Sequence, residues 1–150
     1  MHISRGLVSS AVCAAAAAAL LIAHPAGTDA ASPAASGLRI AAVQHGFAVR
    51  GSVKVRLAGS AMITRVSATH RALRGLPESA AGGFEHRIAS QELKHVGSGR
   101  RVFRGGLSPN ARSALRRLGK LVVTVKITVA PPGQSVAPYR VSRRVTLFAK

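Results

Sequence analysis

Short segments in which apolar residues alternate with basic or polar residues constrain the fold of this chain most. In residues 47–57, FAVRGSVKVRL, one side of the alternation carries Val49, Gly51, Val53, Val55 and Leu57. The other side carries Arg50, Ser52, Lys54 and Arg56. A period of two is that of a β-strand with one face in a core and the other face in solvent.

Further strands are predicted along the chain. The turn residues AGS precede AMITRVSATHRAL, residues 61–73, which is rich in β-branched residues and has an ambiguous parity that predicts a bulge. Residues 74–83 are polar and predict a long loop, and we interpret residues 84–96, FEHRIASQELKHV, as a strand rather than a short helix. In residues 97–107 a turn precedes a strand, with Phe103 and Leu107 toward the core. We expect Gly105 and Gly106 to weaken that strand.

A helix is predicted directly before the strongest strand. Ser108 is a typical N-cap, Pro109 suits the first helical position, and Gly119 stands where a helix ends in a left-handed residue. Apolar residues recur between them at helical spacing, namely Leu107, Ala111, Ala114, Leu115 and Leu118. Alternation then returns in residues 121–129 and, with Arg143 as an exception, in the last strand at Val141, Val145, Leu147 and Ala149.

About six or seven short strands with one helix between them predict an all-β fold, an immunoglobulin-like antiparallel β-sandwich with a short helix at a strand crossover. A closed barrel is the alternative. The segments VRGSVKVRLAGS, GRRVFRGGLSPNARSALRRLGKLVVTVKITVAPPG and RRVTLFAK resemble the immunoglobulin-like β-sandwich modules of secreted, uncharacterised actinobacterial proteins. The resemblance spans residues 47–150, is most specific over residues 111–133, and departs from the pattern at Gly105, Gly106 and residues 74–95. It implies a fold and an exported location, and it transfers no activity or binding residue.

The first thirty residues predict a signal peptide, a signal helix before the sandwich. Arg5 precedes an apolar run over residues 7–23, and Thr28 and Ala30 supply small residues for a cut before Ala31. An uncleaved membrane anchor is the rival interpretation, with the run at the lower limit of about 17–25 spanning residues. Cys13, the single cysteine, lies inside this leader, and we interpret it as inert rather than lipidated. Residues 31–45 are then a flexible lead-in with a candidate first strand, and residues 46–150 form the sandwich.

The chain is strongly basic. Its 22 Lys and Arg residues against four acidic residues give a formal net charge of +18, and the value stays the same after residues 1–30 are removed. Such a charge attracts polyanions, although a GC-rich coding sequence would produce the same arginine-rich composition. The candidate polyanion-binding residues are the outward basic ones: Arg50, Lys54, Arg56, Arg112, Arg116, Arg117, Arg140 and Arg144. A solvated basic surface without a ligand is the alternative.

Catalytic groups are scarce. After residue 30 the chain has no cysteine and no aspartate, and the adjacent Glu85 and His86 would lie on opposite faces of a strand. The histidines lack the spacing of a metal-binding motif, although the fold could still bring His70, His86 and His95 together. Gly97 and Gly99 lack the remainder of a phosphate-binding loop.

We therefore predict a module without enzymatic activity, metal or cofactor that is secreted or held at the cell envelope. Its predicted partners are anionic cell-wall polymers or another envelope protein. A basic protein that binds polyanions or nucleic acid is the alternative function, and membrane contact is expected only through an uncleaved leader.

Overall fold

The computed structural model describes residues 33–77, 83–133 and 136–150, so the predicted signal peptide lies outside the described residues. Ten elements follow one another in the order β1 Ala35–Ile40, β2 Val43–His45, β3 Ala48–Val55, β4 Ser60–Thr69, α1 His70–Arg74, β5 Glu85–Val96, β6 Gly99–Gly106, α2 Pro109–Leu118, β7 Lys120–Ala130 and β8 Tyr139–Phe148.

The strands form two sheets. One sheet has three strands in the order β1-β3-β6, and the other has five in the order β2-β8-β7-β4-β5. With β3 and β6 as strands B and E, and β4, β7 and β8 as strands C, F and G, this is the strand distribution of an immunoglobulin-like domain. The predicted immunoglobulin-like β-sandwich is confirmed, in place of a closed barrel. The β2 and β8 pair is parallel, so the larger sheet is mixed rather than wholly antiparallel.

The core lies between the sheets and follows the alternation seen in the sequence. Val49, Val53 and Val55 of β3 are buried, as are the alternate residues of β7 from Leu121 to Val129. Phe103 and Leu107 are each 1% exposed, which confirms their predicted inward orientation. Arg143 on β8 is exposed although it is paired with the buried Val125.

Helix α2 carries the chain from the three-stranded sheet to the five-stranded sheet, as predicted. Ser108 accepts a hydrogen bond from the Ala111 N–H, Pro109 opens the helix, and Gly119 ends it with a φ of 71°. Ala111, Ala114 and Leu115 are buried, so the apolar side of the helix packs on the core.

Strand β4 is shorter than predicted, since its expected continuation is the helix α1. The Thr69 hydroxyl accepts a hydrogen bond from the Ala72 N–H at 3.0 Å, and Gly75 ends the helix in a left-handed conformation. The two caps supply hydrogen-bond partners for a backbone N–H at the start of α1 and for carbonyl groups at its end.

The structure also refines the predictions for β5 and for the lead-in. The β4 and β5 pairing contains two irregularities, and in both the additional residue lies in β5, which is confirmed as a strand.

In the lead-in, Ala35 already begins β1, and Ala34 and Ala35 are fully buried. Alanines give no periodic signal, so the strand is specified by backbone pairing with β3 rather than by side-chain pattern.

Candidate anion-binding surface

The outer face of the three-stranded sheet is a cationic surface. Alternation turns Arg50 and Lys54 outward on β3, while the buried Phe103 fixes Arg100 and Arg104 as outward residues of β6. Strand β1 adds Arg39, which is paired with Ser52. We call these five exposed residues the cationic face: Arg39, Arg50, Lys54, Arg100 and Arg104.

Register places like charges directly opposite each other on this face. Arg50 is paired with Arg104, and Lys54 is paired with Arg100, across the antiparallel β3 and β6 strands. Side chains at directly opposite positions start about 5 Å apart, and like charges there destabilise a sheet. The arrangement therefore costs stability unless an anion lies between the charges.

The two acidic residues that the structure describes are on the other sheet. Glu85 accepts hydrogen bonds from the Lys126 ammonium at 2.7 Å and from the Ser67 hydroxyl at 3.0 Å. These hydrogen bonds, with the Lys126 charge, hold the pKa of Glu85 below its usual value. Glu92 lies 3.9 Å from Lys94. Within the described parts of the chain, no carboxylate side chain is present on the cationic face.

The cationic face continues into a cleft of about 570 Å³ at the end of the sheet. Ala48 and Gly106 are paired with each other in the next outward position beyond Arg50 and Arg104. Ten residues line the cleft: Gln44, His45, Gly46, Phe47, Ala48, Arg50, Arg104, Gly106, Arg112 and Lys150.

The cleft walls are held by backbone and side-chain hydrogen bonds. Gln44 accepts from the Arg50 N–H and donates to the Arg50 carbonyl, both at 2.8 Å, which ties the strands of the two sheets together. Arg112 donates from Nε to the Leu107 carbonyl at 2.8 Å. These contacts fix the backbone of Arg50 and the side chain of Arg112 before any ligand binds.

The helix arginines that we predicted as polyanion contacts have structural roles. The Arg116 guanidinium lies 5.0 Å from the centre of the Phe47 ring, a cation–π contact. Arg117 donates to the Leu73 carbonyl at 3.0 Å and so links α2 to the end of α1. Of the three predicted helix residues, Arg112 alone lines the cleft.

The remaining predicted residues are not brought to the cationic face. Arg140 and Arg144 are on β8, on the outer side of the five-stranded sheet, where they are paired with Thr128 and Thr124. Arg56 follows β3, and its N–H donates to the Ala34 carbonyl at 2.9 Å. Seven of the eight predicted residues therefore divide between two opposite faces and one helix, and Arg56 lies just after the end of β3.

Comparisons with known proteins assign neither a family nor a function to this chain. No protein-family model matches the chain, and no curated protein sequence matches it. A solved structure, the crystal structure of the periplasmic chaperone SfaE, aligns with a TM-score of 0.37 at 13% identity, over 76% of this chain. The chain spans 56% of the length of that chaperone. A likeness at this level carries no information about function.

Three residues of the cationic face were missed by the sequence reasoning: Arg39, Arg100 and Arg104. For Arg100 and Arg104 a signal was present, because they alternate with the inward Phe103. Arg39 follows a register shift in β1, and the parity of its strand is not readable from the sequence.

Histidines and carboxylates are also placed by the fold. The His70 and His86 rings lie 5.6 Å apart, without His95, and the described residues contain no cluster of three or more candidate metal ligands. Glu85 is paired with Thr69 and His86 with Ala68, so the two lie on opposite faces, as predicted. No helix among the described residues is both long enough and apolar enough to cross a membrane.

Proposed function

We propose that this protein is an exported, non-enzymatic binding module that recognises an anionic cell-envelope polymer through its cationic face. The observation that carries the proposal is the register of β3 and β6, which sets Arg50 against Arg104 and Lys54 against Arg100. Basic residues in this arrangement repel each other, and a chain of regularly spaced anions removes that repulsion on binding. Location outside the cytoplasm rests on the leader sequence, and membership of the actinobacterial module family remains part of the proposal.

Side-chain chemistry on the face favours a polymer without bases over nucleic acid. Single-stranded nucleic acid is bound through aromatic side chains on which bases stack. The outward positions of β3 and β6 carry no aromatic side chain, and the large apolar residue among them, Val102, is 71% exposed. Phe47 and His45 line the adjoining cleft and lie beyond these positions. A polymer whose anions are spaced along a flexible backbone needs only the charges.

The test measures binding of the purified protein to a glycerol-phosphate polymer, a polyuronate, single-stranded DNA, duplex DNA and an uncharged glucan across a series of salt concentrations. We expect binding to the anionic polymers that weakens steadily as salt rises, because bound counterions are released when arginine and lysine replace them. Tighter binding of DNA than of either envelope-type polymer at equal salt would favour the nucleic-acid alternative.

Two variants of equal net charge locate the surface. Lys54→Glu changes the cationic face, and Arg140→Glu makes the same change in charge on the outer side of the five-stranded sheet. We expect Lys54→Glu to weaken polymer binding at least several-fold more than Arg140→Glu. Equal effects of the two variants would show that net charge, and not this face, is responsible.

A further inference from the structure

We infer that the cleft next to the cationic face is a binding site for a phosphate group that carries a small polyol or sugar. In the cell this group would be a unit of the anionic polymer, and that part of the inference rests on the proposed function. The site itself follows from the cleft's own floor, walls and size.

Small residues form the cleft floor. Gly106 is paired with Ala48 on the outward side of β6 and β3, where larger side chains would otherwise project. A Cβ atom at Gly106 would meet nothing closer than Arg112 Nη2, at 4.0 Å. The floor therefore leaves an open space beside a guanidinium group.

Cationic side chains from four parts of the chain surround that floor. Arg50 comes from β3, Arg104 from β6, Arg112 from α2, and Lys150 from the residues after β8. Among the described residues no Asp or Glu side chain lines the cleft. Basic side chains that are drawn together from separate elements, with no Asp or Glu side chain among the lining residues, repel each other, and a bound anion reduces that repulsion.

Guanidinium geometry selects phosphate among the anions. An arginine presents several N–H donors in a planar fork that matches two oxygens of one phosphate, and two or three arginines around one space use all its oxygens. Arg112 is already oriented, because its Nε donates to the Leu107 carbonyl, and this leaves its terminal nitrogens for a ligand. The volume, about 570 Å³, is in the range of sites for small organic ligands and exceeds what a bare phosphate fills.

The test titrates the protein with inorganic phosphate, glycerol phosphate and acetate, followed by calorimetry and by NMR shifts of the Gly106 and Arg104 amides. We expect glycerol phosphate to bind more tightly than phosphate, and acetate to bind most weakly. Gly106→Val fills the floor without a change in charge, and we expect it to weaken phosphate binding about tenfold or more. A folded Gly106→Val protein that binds glycerol phosphate like the wild type would overturn the inference.

Two further variants distinguish loss of the site from misfolding and from a general loss of positive charge. Arg104→Gln removes a wall charge while the backbone N–H of Arg104 keeps its bond to Gln91, so it replaces Gly106→Val if that variant does not fold. Arg140→Gln removes the same charge from the outer side of the five-stranded sheet and does not line the cleft, and we expect it to leave glycerol phosphate binding within about twofold of wild type. Equal losses in Arg104→Gln and Arg140→Gln would mean a diffuse field rather than a site, which contradicts the inference.

The two proposals fail in distinguishable ways. Polymer binding without glycerol phosphate binding would refute the cleft and leave the cationic face standing. Glycerol phosphate binding that Gly106→Val abolishes, in a protein that binds no polymer, would refute the proposed function and retain the site.

Discussion

At the scale of single residues, the two sheets treat charge differently. Lys126 on the five-stranded sheet lies opposite Arg65, another basic residue, but it reaches Glu85 at 2.7 Å. Lys54 and Arg100 are paired in the same way on the three-stranded sheet, and no described carboxylate lies on their face. On the five-stranded sheet, Glu85 thus reduces the repulsion between two basic residues. On the three-stranded sheet, we expect a bound anion to reduce it.

Lys54→Glu should therefore stabilise the free protein while it weakens polymer binding. The new carboxylate would lie opposite Arg100, and replacing a like pair with an opposite pair across a sheet is worth about 0.5 kcal/mol in the free energy of unfolding. Urea denaturation at low salt measures the gain, with Lys54→Gln as the intermediate control. A loss of stability in Lys54→Glu would show that the two side chains do not repel each other.

Glu85 gives a dependence of stability on pH. Because its pKa is lower in the folded protein than in the unfolded chain, its contribution is complete above the unfolded pKa and is lost as the pH falls through the folded value. The side chain is 38% exposed, so we expect the Lys126 pair to contribute only about 0.5 kcal/mol. Wild type and Glu85→Gln should differ in the free energy of unfolding at neutral pH and converge in acid. A constant difference across that range would contradict the assignment.

At the scale of elements, helix α2 depends on its two ends. Gly119 has a φ of 71° and donates its N–H to the Leu115 carbonyl at 2.9 Å, which closes the last turn before β7 begins. This left-handed conformation turns the chain from the helix into Lys120, the first residue of β7.

Gly119→Ala should destabilise the protein by about 1 kcal/mol, because a side chain in the left-handed region brings Cβ against the backbone. Apart from Gly119 itself and its neighbours along the chain, no described atom lies within 4 Å of a Cβ at this position, so the cost comes from local backbone conformation and not from a tertiary clash. Gly106→Ala is the matched control, since it adds the same methyl group at a glycine without a positive φ. Thermal unfolding of the two variants measures the difference, and equal melting temperatures would contradict the explanation.

At the scale of the whole molecule, Gly105 sets how closely the sheets approach. It is buried on β6, and a Cβ there would lie 3.0 Å from the Val66 side chain on β4 of the opposite sheet. Its neighbour Gly106 is exposed on the outer side and lines the cleft. The two adjacent glycines thus lie on opposite faces of the sheet: Gly105 allows close packing in the core, and Gly106 leaves open space in the cleft.

Gly105→Val should cost about 2 kcal/mol of stability, because an overfilled core forces side chains or backbone to shift. Gly106→Val should change stability little, since its side chain would enter the cleft. We expect Val66→Ala to recover part of the loss in Gly105→Val, which a double-mutant cycle of chemical denaturation measures. Independent, additive effects would mean that the two sites do not contact each other.

Local periodicity was enough to predict most of the fold from the sequence. Alternation at Val49 to Val55 and at Leu121 to Val129, and the caps at Ser108 and Gly119, depend on neighbours a few residues away, so they are readable along the chain. The continuation of β4 to residue 73 was predicted wrongly, because α1 begins at a single capping residue, Thr69. The bounds of the candidate first strand were not readable from the sequence, because Ala35 is held by pairing with Val55.

What the sequence determined by itself was the class of fold, the inward and outward sides of most strands, and a strong positive charge. Only the tertiary structure decided which charges share a face. Arg50 and Arg104 are 54 positions apart in sequence and become partners through strand register, while Arg140 goes to the opposite sheet. Register depends on which strands pair and on every bulge before the pair, so it is a property of the folded sheets rather than of local pattern.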